Sequence, residues 1–436
     1  MANGKSVHVA KFLRGIAYPV TSDQEGRSVT KADLITYATE HGADEHALAT
    51  LERLPDQMIE RIFGRSSRGI AYPVAKADLI TYATEHGADE HVLATLERLP
   101  DQVFKGPCGL STAIGEIGRE ERSFAEAPEA QGTWTKDTYK SEAGSREYFV
   151  YTPVNYKPGS AVPLLVMLHG CIQGPEDFAT ITRMNQLADE KQFIVVYPQQ
   201  TGDDNLEECW NWFEPSNQSR DSGEPAILAG ITQEVQKNTD RWTIDPSRVY
   251  VAGLSAGGAM AVILGAIYPD IFAAIGVHSG IEYKAATNLP EALLAMSLGG
   301  PDPMQQGQLA YHAMGTHARV VPTIVFHGTN DYIMQPVNGH QVVRQWMETD
   351  RLASQGAYPA AFHTPSSTMH GQVPGGRSYT VYTWHDSSGN VVQAYWKVDG
   401  MDHAWSGGSA GKPFSDPQGP NASLAMYQFF LAHPRG

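Results

Sequence analysis

The stretch SRVYVAGLSAGGAM, residues 247–260, decides the fold. Its first half is an apolar run typical of a buried strand, and its second half opens a helix of small and apolar residues. Between them lies the pentapeptide GLSAG, in which Gly253 and Gly257 flank Ser255 two positions away on either side. A serine on a sharp strand-to-helix turn tolerates only small residues at those positions. The stretch therefore predicts that Ser255 is a nucleophile at the end of a strand.

The chain around this stretch alternates strand patterns with helix patterns. Helices are predicted over residues 227–242 and 256–267. A hairpin is predicted where residues 379–384 meet 391–398 across the turn at 388–390. Further apolar runs predict seven strands, at residues 148–151, 164–168, 193–197, 249–252, 275–277, 323–326 and 392–398. This alternation predicts the α/β class with a mostly parallel sheet covered on both faces, and together with the serine turn it predicts the α/β-hydrolase fold.

A serine hydroxyl needs a base to take its proton, and in this fold the order along the chain is serine, acid, histidine. The strand PTIVF runs into the loop that holds Asp331. The strand VVQAYWKV runs into the loop that holds His403. Both residues lie just past the carboxyl end of a strand, as Ser255 does. We therefore predict Ser255, Asp331 and His403 as the catalytic triad.

Six other residues remain open as the base or the acid: His278, His327, His340, His385, Asp386 and Asp402. The histidines at 278 and 327 lie at strand ends, and the second is expected to shape the loop that carries the acid. The two aspartates have an ordinary interpretation, which is to form or cap turns. The triad named above is preferred because its members come from loops at one edge of the sheet.

The loop after the first long buried strand is predicted to complete an oxyanion hole. The strand at 164–168 runs directly into HGCIQ, residues 169–173. Gly170 lets the backbone approach the substrate, and the N–H group of Cys171 or Ile172 would act together with that of Ala256. The N–H group of Ala256 lies at the start of a predicted helix, where N–H groups are unpaired and the helix dipole favours negative charge.

A repeat dominates the first hundred residues. The stretch KADLITYATEHGADEHALATLERLPDQ, residues 31–57, returns at 76–102 with Val92 in place of Ala47. Its apolar spacing predicts two short helices in each copy, a hairpin too small to bury a core alone but able to pack against its twin. We therefore predict an all-α region over residues 1–102, with repeats at about 9–57 and 66–102.

The repeat resembles a small bacterial domain of unknown function, and the resemblance implies no activity. It is interpreted either as a helical appendage or as an adaptor that docks an unknown partner or a polymer surface. Its four histidines are interpreted as exposed residues multiplied by duplication, not as metal ligands: His41, His46, His86 and His91. Residues 103–143 are rich in Gly, Glu, Ala and Ser and are predicted to be a linker, followed by the hydrolase domain at 144–436.

Composition narrows the choice of partners. A net charge of −16 disfavours nucleic acid as a partner, because phosphate binding needs a basic face.

Membrane and secretion signals are not found in the sequence. It contains no uninterrupted run of about 18 apolar residues, so no membrane helix is predicted, and no secretory signal is visible in the first twenty residues. Without a CxxC, an HExxH or a Gly-rich phosphate loop, neither a metal nor another cofactor is expected. The compartment stays open.

Five motifs carry a resemblance to a known family. They are HGCIQ at 169–173, CWNWF at 209–213, SRVYVAGLSAGGAM at 247–260, HGTND at 327–331 and GMDHAWSGG at 400–408. In this order they resemble the esterase group of polyhydroxybutyrate depolymerases, which is related to feruloyl and acetylxylan esterases. The resemblance begins at about Ser145 and implies a secreted type of serine esterase. It implies a substrate such as a hydroxyalkanoate oligomer or polymer or another short-acyl ester.

The resemblance also implies roles for residues inside the motifs. A disulfide between Cys171 and Cys209 would pin the oxyanion loop, whereas a reducing compartment would favour free thiols. Cys108 has no evident partner. Three tryptophans are expected either to line an aromatic cleft for the substrate or to pack in the core: Trp210, Trp212 and Trp405.

Two other functions stay open. One is a feruloyl or acetylxylan type of esterase acting on plant cell-wall esters. The other is a non-catalytic binding protein on a hydrolase scaffold, which the presence of serine, acid and histidine disfavours. Helical repeats precede the esterase part, in place of a Ser/Thr-rich linker to a polymer-binding domain, so soluble oligomers or small esters are favoured over crystalline polymer.

Overall fold

The structure is a computed structural model that describes residues 74–85, 96–97, 101, 103–104, 130–205, 207–358 and 361–436. By its internal contacts the chain divides into two units. One unit comprises Phe124–Thr287, Leu294–Ala410 and Phe414–Gly436, and it contains the large sheet and the predicted catalytic residues.

The described residues of the repeat region form three short elements. Strand β1 (Val74–Ala75) pairs antiparallel with β2 (Val103–Phe104), and helix α1 (Lys76–Glu85) follows β1. Helix α1 confirms the first helix predicted for the second copy, and its Leu79 is buried as the apolar pattern requires. The first copy, the four histidines and Cys108 lie outside the described residues.

A ten-stranded sheet forms the body of the second unit. Its order is β10-β11-β12-β9-β8-β7-β5-β6-β4-β3. The six strands from β12 to β6 run parallel, and an antiparallel pair extends the sheet at each end. The strands are β3 (Thr133–Ser141), β4 (Gly144–Thr152), β5 (Val162–Leu168), β6 (Ile194–Pro198), β7 (Ile244–Leu254), β8 (Ala274–His278), β9 (Thr323–Gly328), β10 (Ser367–Gln372), β11 (Ser378–His385) and β12 (Val391–Val398).

Helices alternate with the strands along the chain, and the last helix follows the last strand. They are α2 (Pro175–Thr182), α3 (Met184–Lys191), α4 (Gly223–Lys237), α5 (Ala256–Ile267), α6 (Leu289–Leu298), α7 (Pro303–Met314), α8 (Val337–Ala353) and α9 (Ala422–Leu431). Every residue of β5, β6, β8 and β9 is buried, so both faces of the central sheet are covered. Two short strands, β13 (Trp405–Ser406) and β14 (Ser415–Asp416), pair near the end of the chain. No helix in the described part of the chain is long and apolar enough to cross a membrane.

The predicted elements and the observed ones agree closely in the centre of the sheet. All seven predicted strands are present, the predicted hairpin is the pair β11–β12, and helix α5 has the predicted bounds. The helix predicted over 227–242 lies instead at Gly223–Lys237, because the chain leaves the helical conformation at Asn238. This shift in the bounds of one helix does not change where the central strands end.

The predicted linker is wrong at its carboxyl end, where residues 133–141 form strand β3. Burial alternates along residues 135–140 of this strand, half-buried at odd positions and exposed at even ones, which suits an edge strand with one face on the core. The ring of Trp134 packs against Phe149 and Tyr197, with centroids 5.5 and 5.2 Å apart. The other edge strand, β10, is mostly exposed and polar, which is why no apolar run revealed it.

Glu282, which follows β8, is a buried carboxyl group. It is 2% exposed, and within the described part of the chain neither carboxylate oxygen has a hydrogen bond. Burial, assisted by the charge of Asp302, raises its pKa to about 9. The group is therefore protonated in the folded protein at neutral pH, whereas in the unfolded chain it would ionise near pH 4.5.

We expect Glu282→Gln to stabilise the protein, by roughly 2 kcal/mol at pH 8. Between pH 4.5 and 9 the folded state binds one more proton than the unfolded state at this site, so the stability of the wild type falls as pH rises. Urea unfolding at pH 5 and pH 8 measures the effect, with the exposed Glu190→Gln as control. A gain of equal size at both pH values, or a loss, would contradict the buried, protonated carboxyl.

Candidate active site

Ser255 occupies a strained turn between β7 and α5. Its backbone has φ 58° and ψ −119°, and its N–H group donates to His278 O at 2.9 Å. A Cβ atom on Gly253 would overlap the carbonyl group of Gly257, and one on Gly257 would overlap the carbonyl oxygen of Leu168. The two glycines are therefore required by the turn itself. Ser255 is 7% exposed and lies at the carboxyl edge of the sheet.

Asp331 and His403 form a buried acid–base pair. His403 Nδ1 donates to Asp331 Oδ2 at 2.8 Å, while Asp331 Oδ1 accepts the N–H groups of Ile333 at 3.1 Å and Met334 at 2.8 Å. Burial raises the pKa of Asp331, but the hydrogen bond from His403 and the nearby imidazoles outweigh it and hold the pKa below its usual value. The carboxylate is thus ionised, and it leaves Nε2 of His403 as the atom that can take a proton.

Neighbouring strands bring the three residues to one edge. Ser255 follows β7, Asp331 follows β9 and His403 follows β12, and the order β12-β9-β8-β7 is parallel throughout. Among the described residues Ser255 Oγ forms no hydrogen bond, and the backbone of Ser255 is held by His278. The carbonyl of His278 accepts the N–H of Ser255, and its Nε2 accepts the N–H of Ser406 at 3.0 Å. Contacts to the catalytic base often tighten only when substrate binds.

The loop HGCIQ lies beside the serine. A Cβ atom on Gly170 would lie 3.5 Å from Ser255 Cβ, which places the loop against the turn. The N–H group of Ile172 donates to Glu207 O at 2.6 Å and is therefore occupied. The N–H groups of Cys171 and Ala256 form no hydrogen bond within the described residues. Of the two alternatives for the loop donor, the geometry favours Cys171.

Cys171 and Cys209 form a disulfide in the structure. The bridge joins the oxyanion loop to the segment that follows β6. Cys209 is held in turn through its N–H group, which donates to Asn205 Oδ1 at 3.3 Å, and through its carbonyl oxygen, which accepts from Gln200 Nε2 at 2.9 Å. The residue proposed as an oxyanion donor is therefore covalently anchored.

Two of the three tryptophans expected near the substrate lie in the core, so the prediction that they line a cleft is wrong. Trp210 and Trp405 are both 0% exposed. The indole of Trp210 donates to His169 O at 3.1 Å, and that of Trp405 donates to Ser423 Oγ at 3.0 Å. Trp212 is 5% exposed, and its role in substrate binding stays a prediction.

The alternative bases have other partners. His278 is fully buried, and burial holds its pKa well below the usual value while its Nε2 accepts from a backbone N–H. His327 donates from Nε2 to Met334 O at 2.7 Å, which is the loop-shaping role expected of it. His340 packs against the rings of Phe362 and Tyr395. His385 lies within hydrogen-bond distance of the Thr383 hydroxyl in the hairpin β11–β12. Within the described residues neither histidine contacts Asp331.

The alternative acids serve turns and loops. Asp386 accepts the N–H groups of Ser388 and Asn390, both at 2.9 Å, and so caps the hairpin between β11 and β12. Asp402 accepts from Asn330 Nδ2 at 2.6 Å and is exposed. Among the described residues no group of three or more His, Cys, Asp or Glu side chains could hold a metal ion.

Comparison with known proteins agrees with this arrangement. Residues 147–361 match the family model described as Esterase PHB depolymerase. Just under half of the chain is thus similar to this esterase family. The match includes Ser255 and Asp331 and ends before His403. Residues 68–110 match a second model, Protein of unknown function (DUF2795), over the second copy of the repeat.

Two curated depolymerases are similar to this chain. Poly(3-hydroxyalkanoate) depolymerase C of Paucimonas lemoignei is 32% identical over 61% of this chain and 60% of its own length. Poly(3-hydroxybutyrate) depolymerase of Ralstonia pickettii is 30% identical over 65% of this chain and 56% of its own length. The chain thus spans less than two thirds of either relative.

One solved structure shares the fold. An acetyl xylan esterase from Aspergillus awamori aligns with a TM-score of 0.54 and 17% identity, over 69% of this chain and 100% of its own. This likeness, the strand order and the serine turn together give the α/β-hydrolase fold that the sequence predicts.

Proposed function

We propose that the chain is a serine esterase that hydrolyses carboxylic esters through an acyl-enzyme. Ser255 Oγ bonds to the ester carbonyl carbon while His403 Nε2 takes its proton, and Asp331 holds the imidazole in the required tautomer. The N–H groups of Cys171 and Ala256 stabilise the oxyanion. His403 returns the proton to the leaving alcohol, and water then attacks the acyl-enzyme by the same route to release the acid.

One observation carries the proposal. A serine on a turn that requires glycine on both sides lies on the same sheet edge as a buried, ionised aspartate bonded to a histidine. A purely structural turn would not need the positive φ at Ser255, nor a His403 whose Nε2 has no hydrogen bond within the described residues.

We propose a short-chain hydroxyalkanoate ester as the substrate class. The family match and the two depolymerase relatives support this class. Acetylated and feruloylated sugars are the competing substrates, and a rate comparison decides between them.

Covalent labelling tests the nucleophile. The wild-type protein is incubated with a fluorophosphonate, digested, and searched by mass spectrometry for the modified peptide. We expect one adduct, on Ser255, and loss of esterase activity in step with labelling. Ester turnover accompanied by an adduct on a different serine would show that Ser255 is not the nucleophile. Absence of both turnover and adduct would contradict the proposed esterase activity.

A substrate panel tests the class. We expect kcat/KM for the 3-hydroxybutyrate trimer to exceed that for methyl ferulate and for acetylated xylan by at least about tenfold, the size of a pocket-level preference. A reversed order would assign the domain to plant cell-wall esters instead.

A further inference from the structure

We propose that His169 is a positioning residue that sets the orientation of the Gly170–Cys171 peptide and so aims the N–H group of Cys171 at the oxyanion. The inference rests on the proposed esterase function and deepens it. It concerns the imidazole of the HGCIQ loop, which takes no part in proton transfer.

The orientation follows from the planarity of the peptide. The carbonyl of one residue and the N–H of the next lie in one rigid plane and point in opposite directions. His169 Nδ1 lies 2.7 Å from Gly170 O. Among the described residues no other group donates to that oxygen. Gly170 has no side chain to restrict its backbone, and its own N–H group is held by Gln173 Oε1 at 2.8 Å. The hydrogen bond from His169 to Gly170 O therefore acts on the peptide plane that contains the N–H group of Cys171.

The tautomer of His169 is set by a second contact. Nε2 of the ring lies 3.0 Å from the backbone nitrogen of Gln200, which can only donate. Nε2 is therefore the acceptor, and the proton must be on Nδ1, where it is donated to Gly170 O. Burial lowers the pKa of His169 to about 4, so the ring stays neutral over the pH range in which an esterase base works.

Gln200 is itself immobilised. It is 0% exposed, and its Nε2 donates to Cys209 O at 2.9 Å and to Glu224 Oε1 at 2.5 Å. Its Oε1 accepts from Arg146 Nε at 3.0 Å. One residue thus fixes both the ring that orients the Cys171 peptide and the carbonyl of the cysteine to which Cys171 is bridged. The oxyanion donor is held from its backbone and its side chain by the same residue.

The imidazole of His169 also contacts a tryptophan. Trp210 packs against it with centroids 5.4 Å apart, and the indole N–H donates to His169 O. The bond to the backbone of His169 does not depend on its side chain. Asn and Gln both lack the ring, so variants with either residue lose the ring contact alike and differ in the hydrogen bond that each can keep.

Two substitutions form a matched pair. In His169→Asn the amide nitrogen stands near the place of Nδ1 and can still donate to Gly170 O. In His169→Gln the amide oxygen stands near the place of Nε2 and can accept from Gln200, but the donor to Gly170 is lost. We expect His169→Gln to lower kcat on p-nitrophenyl butyrate by about 10²–10³, the loss typical of one oxyanion donor, with KM changed less than threefold. We expect His169→Asn to retain kcat within about tenfold.

The outcomes separate a positioning role from a structural one. Thermal unfolding is measured on both variants, since a residue that only fills space would lose activity in proportion to stability and would favour the larger glutamine. A kcat for His169→Gln equal to or above that of His169→Asn would overturn the proposal. Failure of both variants to fold would make His169 a residue of stability and would also overturn it.

A measurement on the wild type gives an independent check. In wild-type protein with ¹⁵N-labelled histidine, the signal of His169 is identified by its absence from the spectrum of a folded His169 variant. We expect that signal to show a neutral ring protonated at Nδ1. A ring protonated at Nε2 would contradict the proposal. If the wild type hydrolyses the ester and His169→Gln is equally active, this inference is wrong but the proposed function stands. If the wild type shows no turnover, the proposed function and this inference are both wrong.

Discussion

Replacing Ser255 by Ala is expected to lower kcat by about 10⁶, to the rate left by the oxyanion hole and substrate binding alone. The substitution removes the atom that forms the acyl-enzyme. It leaves the fold intact, because Ser255 Oγ makes no hydrogen bond within the described residues and Ala is no larger than Ser at this turn. The backbone contact from Ser255 N–H to His278 O is kept.

Initial rates with p-nitrophenyl butyrate measure the effect, together with the thermal unfolding midpoint. The exposed hairpin residue Ser388→Ala serves as control and should keep full activity, since it lies in the turn between β11 and β12. Equal rates for wild type and Ser255→Ala would end the catalytic proposal, provided that the two proteins unfold at the same temperature.

Asp331→Asn is expected to lower kcat by about 10⁴ with little change in KM. The amide oxygen can still accept the N–H groups of Ile333 and Met334, so the loop keeps its shape. The amide nitrogen would face His403 Nδ1 and donate to it, which moves the imidazole proton to Nε2. A ring protonated at Nε2 cannot take the proton of Ser255.

Asp402→Asn is the matched comparison, because Asp402 lies next to His403 but bonds Asn330 and is exposed. We expect it to keep kcat within about threefold. If the losses were exchanged between the two variants, Asp402 would be the acid and the buried pair at Asp331 would be structural.

The centre of the sheet was predictable because its signal is local. A parallel strand buried on both faces must be apolar along its whole length, as β5, β6 and β8 are. Edge strands carry no such requirement. Strand β3 was assigned to a linker and β10 was missed, since their charged and hydroxyl side chains face solvent.

The candidate triad was predictable for a related reason. Loops that leave the carboxyl ends of parallel strands meet at one edge, so a serine, an acid and a histidine in such loops converge without knowledge of contacts. Contacts between neighbouring strands were not predictable. The bond between His169 and Gln200 depends on where β5 and β6 end relative to each other, and no spacing in the sequence records it.

The tryptophans show a different limit. Membership in a motif says that a residue lies near the site, but it does not say whether the side chain points to the cleft or to the core. Trp210 and Trp405 point to the core and support other residues, namely His169 and Ser423. Their place in the motifs reflects packing behind the site.

The cystine at 171 and 209 makes redox history a variable of any preparation. Two batches of equal purity can hold the same triad yet differ in the fraction of molecules whose oxyanion loop is tethered. Their specific activities would then differ although circular dichroism and mass per chain agree closely. Thiol quantification beside active-site titration would express each batch as competent sites instead of milligrams.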